Sequence, residues 1–125
     1  MYRPVHPQER IILALDNIES LVGLEQTVRE LCNHIGLAKI GLEAFIEFGP
    51  EAIRTVRRIK LDVFLDLKLN DIPTTVGNAS AKISKLDVKF FNVHASASRK
   101  AVAAAVKNKG ASRVLGVTVL TSMDH

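Results

Sequence analysis

The chain has 125 residues, of which 47% are hydrophobic and 24% charged. This balance is typical of one globular domain with a substantial apolar core. The formal net charge is +4, but the basic residues are dispersed, only 5% of residues are aromatic, and tryptophan is absent. The composition therefore disfavours a nucleic-acid stacking surface and weakly favours a small anionic ligand.

The cellular location can be predicted from what the chain lacks. No stretch approaches the roughly 20 apolar residues that a membrane-spanning helix needs. The first ten residues carry charges and two prolines and have no apolar signal core. Cys32 is the single cysteine, so it has no internal disulfide partner, which agrees with a reducing compartment. We expect a cytoplasmic protein that makes no use of a membrane.

Apolar residues predict five strands, at residues 11–15, 37–42, 61–67, 88–94 and 114–120. Between them, apolar residues recur at helical spacing in residues 21–35, 52–59, 73–86 and 101–109, which predicts four helices. Gly36 and Gly110 follow two of these helices and are expected to end them. Strict alternation of strands and helices implies parallel strands joined by right-handed crossovers.

This order of elements predicts an α/β fold, and its most common forms can be separated by motif. The chain has neither the glycine pattern of a dinucleotide-binding fold nor that of a P-loop. The remaining common form is a (β/α)8 barrel, which typically needs about 250 residues. We therefore expect residues 1–125 to be the N-terminal portion of a single (β/α)8-barrel domain, a fragment or truncated product with five strands and four helices.

The third strand leads into the run DLKLNDIP at residues 66–73. Side chains alternate across a strand, so Asp66 and Lys68 share one face. Asp71 follows near the N-cap of the helix that begins at Pro73. Such a group on a surface would contribute little, but charges at the end of a buried strand are costly unless they pair or take part in chemistry. The run predicts a functional site.

Other polar residues fall at the carboxyl ends of the predicted strands, where barrel enzymes carry their active sites. Asp16 follows the first strand and His94 ends the fourth, whereas Lys39 lies within the second and has a stem long enough to reach the same end. Thr121 and Ser122 follow the fifth strand. One Asp after a strand is often only a helix cap, so the prediction depends on the coincidence across several strands.

Lys39, Asp66, Lys68 and Asp71 would form a network of alternating charge. Neighbouring carboxylates favour the charged form of a lysine. A charged Lys68 suits proton delivery to a carbanion and suits nucleophilic amine chemistry poorly. Since the chain has no His-x-x-x-His, no paired cysteines and no Ser-His-Asp order, neither a metal hydrolase nor a serine hydrolase is indicated.

At this point the chain resembles a known family, orotidine 5′-monophosphate decarboxylase, which catalyses the last step of pyrimidine nucleotide synthesis. The resemblance covers residues 13–16, 39–41, 64–75, 92–94 and 117–123, in order over nearly the whole chain, and the Asp-x-Lys-x-x-Asp-Ile-Pro-x-Thr block is its most specific part. It implies a (β/α)8-barrel homodimer that converts orotidine 5′-monophosphate (OMP) to UMP without a metal or organic cofactor.

The resemblance also implies a role for each matching residue. Lys68 would donate the proton that replaces the departing carboxylate at C6, and Asp66 would lie against that carboxylate. Asp71 would complete the charged network from the partner subunit. The remaining matches would bind substrate: Asp16 and Lys39 at the ribose hydroxyls, Thr75 beside Asp71 at the ribose, and Thr121 or Ser122 at the base. Ile72 is also expected to bind substrate.

Two features leave alternatives open. The family's phosphate-binding arginine and glutamine belong to later strands, after the fifth, so the chain alone is expected to be inactive or severely impaired, and it could be an inactive half-barrel. A related Mg²⁺-dependent enzyme acting on 3-keto-gulonate or hexulose phosphate shares Asp-x-Lys-x-x-Asp. It usually has a carboxylate where this chain has Lys39, and a cation is a poor fit at a metal-ligand position.

Overall fold

The structure of the protein is a computed structural model that describes residues 5–123. These residues contain five strands and five α-helices. They divide into two compact units, one running to Asp66 and the other beginning at Leu67. The predicted α/β class is confirmed.

The first unit alternates strands with helices around a parallel sheet. Strand β1 (Ile12–Ala14) pairs with β2 (Leu37–Gly41), and β2 pairs with β3 (Asp62–Leu69), both in parallel. Helix α1 (Leu21–Leu31) follows β1, while α2 (Leu42–Phe48) and α3 (Pro50–Arg58) separate β2 from β3. Parallel strands require such crossovers, because after each strand the chain must return to the end of the sheet at which that strand began.

Burial explains why these elements hold together. Helix α1 buries Leu24 and Val28 and packs against α3, which buries Ala52, Ile53 and Val56. The strands contribute fully buried aliphatic side chains, so they read as the nearly continuous apolar runs expected of a parallel sheet. These strand residues are Ala38, Ile40, Val63 and Leu65.

The second unit begins inside β3 and continues with α4 (Pro73–Ile83), β4 (Phe90–His94), α5 (Arg99–Asn108) and β5 (Arg113–Val117). Strands β4 and β5 pair in parallel. Helices α4 and α5 pack against each other, and a Cβ at Gly77 would lie 3.4 Å from the Ala104 Cβ. Gly77 therefore allows the two helices to approach closely.

Several predicted boundaries differ from the structure. A fifth helix, α2, begins directly after β2 with Gly41 as its N-cap, so no loop residues marked it in the sequence. Helix α1 ends at Leu31, four residues before the predicted end. Gly36 is consequently not a helix-ending residue: an added Cβ there would lie 2.7 Å from the Glu9 Cα, so the position needs glycine for a close backbone approach.

Other predicted boundaries are confirmed. Helix α4 begins at Pro73 as expected, since proline suits the first turn of a helix. Gly110 follows α5 with φ 58°, the left-handed conformation of a helix-ending glycine. Within residues 5–123, no helix has the length and apolarity needed to cross a membrane.

Candidate functional site

Three predicted site residues of the first unit form one ion cluster. The Nζ atom of Lys39 lies 3.5 Å from Oδ1 of Asp16 and 3.5 Å from Oδ2 of Asp66. The Asp66 side chain is 11% exposed and the Lys39 side chain 22%, whereas that of Asp16 is 53% exposed. The ammonium thus lies between a nearly buried carboxylate and an accessible one.

Strand register brings Asp16 and Asp66 to one level, and the long side chain of Lys39 reaches them from two residues earlier in β2. Ala14 pairs with Lys39, and Gly41 pairs with Asp66. Asp16, two residues beyond Ala14, therefore comes level with Gly41 and Asp66. A Cβ at Gly41 would lie 3.5 Å from both the Asp16 and Lys39 charged groups, so glycine leaves space beside the cluster.

Electrostatics require the cluster to stay together. Burying a carboxylate such as that of Asp66 costs several kcal/mol unless an opposite charge or hydrogen bonds compensate it. Lys39 supplies that charge from the neighbouring strand. Because a lysine carries its charge at the end of a long apolar stem, it can sit in the middle of β2 and still reach the strand ends.

Lys68 has an unusual backbone. It lies in β3 but has φ 50°, the left-handed region that costs an L-residue with a side chain about 1–2 kcal/mol. Its N–H donates a hydrogen bond of 2.8 Å to Oδ1 of Asn92. Strained backbone is concentrated at functional sites, so the conformation supports the choice of Lys68 as a functional residue.

Asn92 is a residue that the sequence-based site prediction did not include. It lies in β4 between the buried side chains of Phe91 and Val93 and is itself 3% exposed. A polar side chain inside an otherwise apolar strand was the signal that could have identified it, because buried amides need hydrogen-bond partners. Its contact with Lys68 was not visible in the sequence.

The residues after β3 are accessible. Asp71 lies near the N-cap of α4, as predicted: the cap is the next residue, Ile72, whose N–H donates a 2.7 Å hydrogen bond to Asp71 Oδ1. Asp71 lies just before the cap and does not bond to N–H groups of the first helical turn. Ile72 is 66% exposed, so most of its apolar side chain stays in contact with water, and Thr75 is also exposed.

Three further predicted residues lie at or after the ends of β4 and β5. His94 ends β4 as predicted and is half-buried. Strand β5 ends at Val117, three residues earlier than predicted, and Thr121 and Ser122 are exposed in the turn that follows. The structure therefore brings Asp16, Lys39 and Asp66 together, and it places Lys68, Asp71, Ile72, Thr75, Thr121 and Ser122 in the second unit. The predicted four-residue network stays a prediction.

Metal-binding side chains are not clustered in the described part of the chain. Among residues 5–123, no three or more His, Cys, Asp and Glu side chains are arranged to hold a metal ion. At the strand ends, Asp16 and Asp66 each have an oxygen 3.5 Å from the Lys39 ammonium.

Comparison with known proteins gives a consistent result. Residues 9–125 match the profile of the orotidine 5′-phosphate decarboxylase / HUMPS family. A relative from Anaeromyxobacter sp. (strain K), named orotidine 5′-phosphate decarboxylase, is 44% identical over 119 residues, covering 94% of this chain and 52% of its own length. One of the same name from Syntrophus aciditrophicus is 40% identical, covering 93% and 50%. The chain spans about half the length of the relatives it matches.

Solved structures agree on the fold. An uncharacterized conserved protein from Geobacillus kaustophilus has a TM-score of 0.82 at 32% identity, covering 90% of this chain and 56% of its own. The orotidine 5′-phosphate decarboxylase of Thermotoga maritima has a TM-score of 0.72 at 26% identity, covering 91% and 56%. The predicted (β/α)8-barrel family, with five of its strands present, is confirmed.

Proposed function

Because the chain belongs to the orotidine 5′-phosphate decarboxylase / HUMPS family, we propose that it carries the catalytic lysine and acids of an enzyme that decarboxylates OMP to UMP. One observation supports the proposal beyond family membership: the Lys39 ammonium lies 3.5 Å from the Asp16 and Asp66 carboxylates, near the carboxyl ends of neighbouring parallel strands. Such an arrangement of fixed charges suits a reaction in which negative charge develops on a bound ring.

The proposed reaction needs only one proton from the protein. The bond between C6 of the pyrimidine and its carboxylate breaks, CO₂ leaves, and the electron pair stays on C6. The Lys68 ammonium gives a proton to C6, which forms UMP, and the lysine regains a proton from water. A fixed positive charge beside C6 stabilises the developing carbanion more than the ground state, and this difference accelerates the reaction.

We propose that Asp66 acts on the carboxylate of the substrate. Its carboxylate is nearly buried and oriented by Lys39, so it would face the substrate carboxylate with little freedom to move away. Repulsion would disfavour the ground state more than the carbanion, although ground-state destabilisation is contested as a general mechanism. We assign the larger share of catalysis to stabilisation by Lys68.

The remaining residues are proposed to bind substrate. Asp16 is accessible and, together with Lys39, would hold the ribose hydroxyls. The exposure of Asp71, Ile72 and Thr75 supports a site shared across a homodimer, in which these residues complete the partner's site. Thr121 or Ser122 would contact the base. We further propose that the chain is part of one barrel domain and works in the cytoplasm.

The Mg²⁺-dependent activity that shares the family name is less well supported. Mg²⁺ is held by carboxylate oxygens in near-octahedral geometry. In this chain the position that the Mg²⁺-dependent relatives usually fill with a carboxylate is Lys39, whose ammonium lies 3.5 Å from Asp16 and from Asp66. An ammonium cannot bind Mg²⁺, so the arrangement favours the cofactor-free reaction.

A chimera tests the proposal. Residues 1–125 of this chain would be joined to the remaining half of the Anaeromyxobacter relative, so that the parts beyond this chain are supplied by an intact homologue. We expect OMP turnover, and we expect Lys68→Ala to lower kcat by about 10²–10⁴-fold, the usual contribution of a positioned acid. Lys82→Ala, which removes an exposed lysine of α4, is the matched control. Equal turnover by the two variants would refute the proposal.

The unfused chain separates the enzyme from the inactive half-barrel alternative. Because it spans about half of its relatives, we expect turnover far below that of the chimera, since remote binding energy commonly drives catalysis. Binding of 6-aza-UMP by a folded dimer would favour a nucleotide site. Assemblies that do not bind this nucleotide would favour the structural alternative.

A further inference from the structure

The backbone of Lys68 departs from the pattern of a regular strand. Residues of β3 before it continue an extended ladder with β2, whereas Lys68 has φ 50°. In a parallel ladder a strand N–H donates to a backbone carbonyl of the neighbouring strand. The Lys68 N–H donates instead to a side-chain carbonyl, that of Asn92, at 2.8 Å.

This bond places a polar side chain, that of Asn92, at a buried position where an apolar side chain would cost less free energy. Asn92 is 3% exposed and is flanked in β4 by Phe91 and Val93, which are fully buried. A buried amide gives up its hydration and is favourable only when its partners are well placed. A leucine of similar size would fill this position without that cost, so the amide is explained by hydrogen bonding, which includes the bond from the Lys68 N–H.

From these observations we propose that Asn92 is a positioning residue for Lys68. Its Oδ1 atom holds the Lys68 N–H and thereby keeps the lysine backbone in the left-handed conformation. Because φ determines the direction in which a side chain leaves the backbone, Asn92 sets where the Lys68 ammonium is delivered. The proposal rests on the proposed function for its catalytic meaning, but the backbone effect is independent of any substrate.

Two substitutions and one control separate positioning from a structural role. Asn92→Leu removes the acceptor and keeps the volume, whereas Asn92→Asp keeps an acceptor oxygen in the same place. Ser112→Ala is the matched control, because Ser112 is also 3% exposed and bonds through Oγ to the Val88 carbonyl at 2.7 Å. It removes a buried polar group from the same unit without touching Lys68.

The first measurement is NMR of the labelled chain. The one-bond Cα–Hα coupling of Lys68 reports the sign of φ, and amide exchange reports its hydrogen bond. In Asn92→Leu we expect a change to negative φ and about tenfold faster exchange at Lys68, the effect of losing one such bond. Asn92→Asp and Ser112→Ala should keep positive φ and slow exchange. An unchanged Lys68 in Asn92→Leu would overturn the proposal.

A direct measurement covers the case in which Asn92→Leu does not fold. A scalar coupling between the Lys68 amide nitrogen and the Asn92 side-chain carbonyl carbon is expected in the unsubstituted chain, and the equivalent coupling in Asn92→Asp. Absence of the coupling in the unsubstituted chain would overturn the proposal without any variant.

The catalytic consequence is tested in the chimera. Asn92→Leu should lower kcat with little change in KM, and Asn92→Asp should restore part of the loss. If φ changes but kcat does not, Asn92 is structural and the proposal fails. If Lys68→Ala itself leaves turnover intact, the proposed function fails, whereas the effect of Asn92 on the Lys68 backbone stands by its own measurement.

Discussion

The ammonium of Lys39 in β2 lies 3.5 Å from Oδ2 of Asp66 in the neighbouring parallel strand β3, two residues beyond the register partner of Lys39. Both side chains are mostly removed from water. A carboxylate in this setting depends on its cation, because its hydration has largely been lost. The Lys39–Asp66 pair, which we propose to act at the functional site, is therefore also expected to contribute to the stability of the first unit.

We expect Lys39→Met to lower the free energy of unfolding by about 1–3 kcal/mol, because it leaves Asp66 nearly buried without that cation. The double variant Lys39→Met/Asp66→Asn should recover part of this loss, since the nearly buried negative charge is gone. Urea unfolding measures both. Lys82→Met is the control and should stay within about 0.5 kcal/mol of the parent. A Lys39→Met variant as stable as that control would contradict the interpretation.

The close approach at Gly36 gives a second prediction. A methyl group there would lie 2.7 Å from Glu9 Cα and 2.8 Å from Glu9 O, and backbone atoms have no easy way to move aside. Gly36→Ala should therefore cost about 1–3 kcal/mol. Gly116→Ala is the matched control, because its nearest neighbour would be the Ala95 Cβ at 3.9 Å. Thermal unfolding of the two variants should differ clearly, and equal midpoints would refute the argument.

Ser98 combines strain with a useful bond. Its backbone has φ 127° and ψ 151°, while its Oγ accepts a 3.1 Å hydrogen bond from the Ala101 N–H at the start of α5. Ser98→Ala should lower the free energy of unfolding, because it removes the cap bond to α5 and leaves the backbone of position 98 strained. Ser98→Gly also loses the cap bond but tolerates this backbone, so it should be more stable than Ser98→Ala by about 1–3 kcal/mol. The reverse order in urea unfolding would show that position 98 is not strained.

Glu51 gives a prediction about pH. Side-chain hydrogen bonds from Arg58 first, and then from Arg54, hold the pKa of this carboxyl below its ordinary value of 4.5. The stabilisation is present above that ordinary value and is lost as the pH falls through the lowered pKa. A ¹³C NMR titration should find the midpoint below 4.5 and find it raised by Arg58→Ala. Arg29→Ala, which alters a different ion pair on α1, should leave it unchanged.

The sequence predicted the elements whose signals are local. Pro73 marked the start of α4, Gly110 marked the end of α5, and a long apolar run marked β3. Those residues act through their own backbone preferences or through simple burial, so no knowledge of distant contacts was needed. The order of elements also predicted that Asp16, Lys39 and Asp66 would gather at the carboxyl ends of the strands, because parallel strands have these ends on one side of the sheet.

Other features depended on contacts that no local pattern encodes. Helix α2 follows β2 without a loop, and Gly36 allows a close approach to Glu9, which lies 27 residues earlier in the sequence. The left-handed backbone of Lys68 is stabilised by Asn92, which lies 24 residues away in the sequence. Lysine has no preference for that conformation, so the conformation could not have been predicted from residue type.

The boundary between the two compact units falls inside β3, immediately after Asp66 and before Leu67. A recombination event there would give the acid one parent and Lys68 another, while each unit kept its own core. Mixed progeny of two family members could then fold and yet combine an acid from one parent with a lysine whose backbone was tuned in the other. A crossover moved into the loop before Asp62 would keep Asp66 with Lys68 but take Lys39 from the other parent, whereas one between Asp66 and Leu67 keeps each described pair, Lys39–Asp66 and Lys68–Asn92, within a single parent.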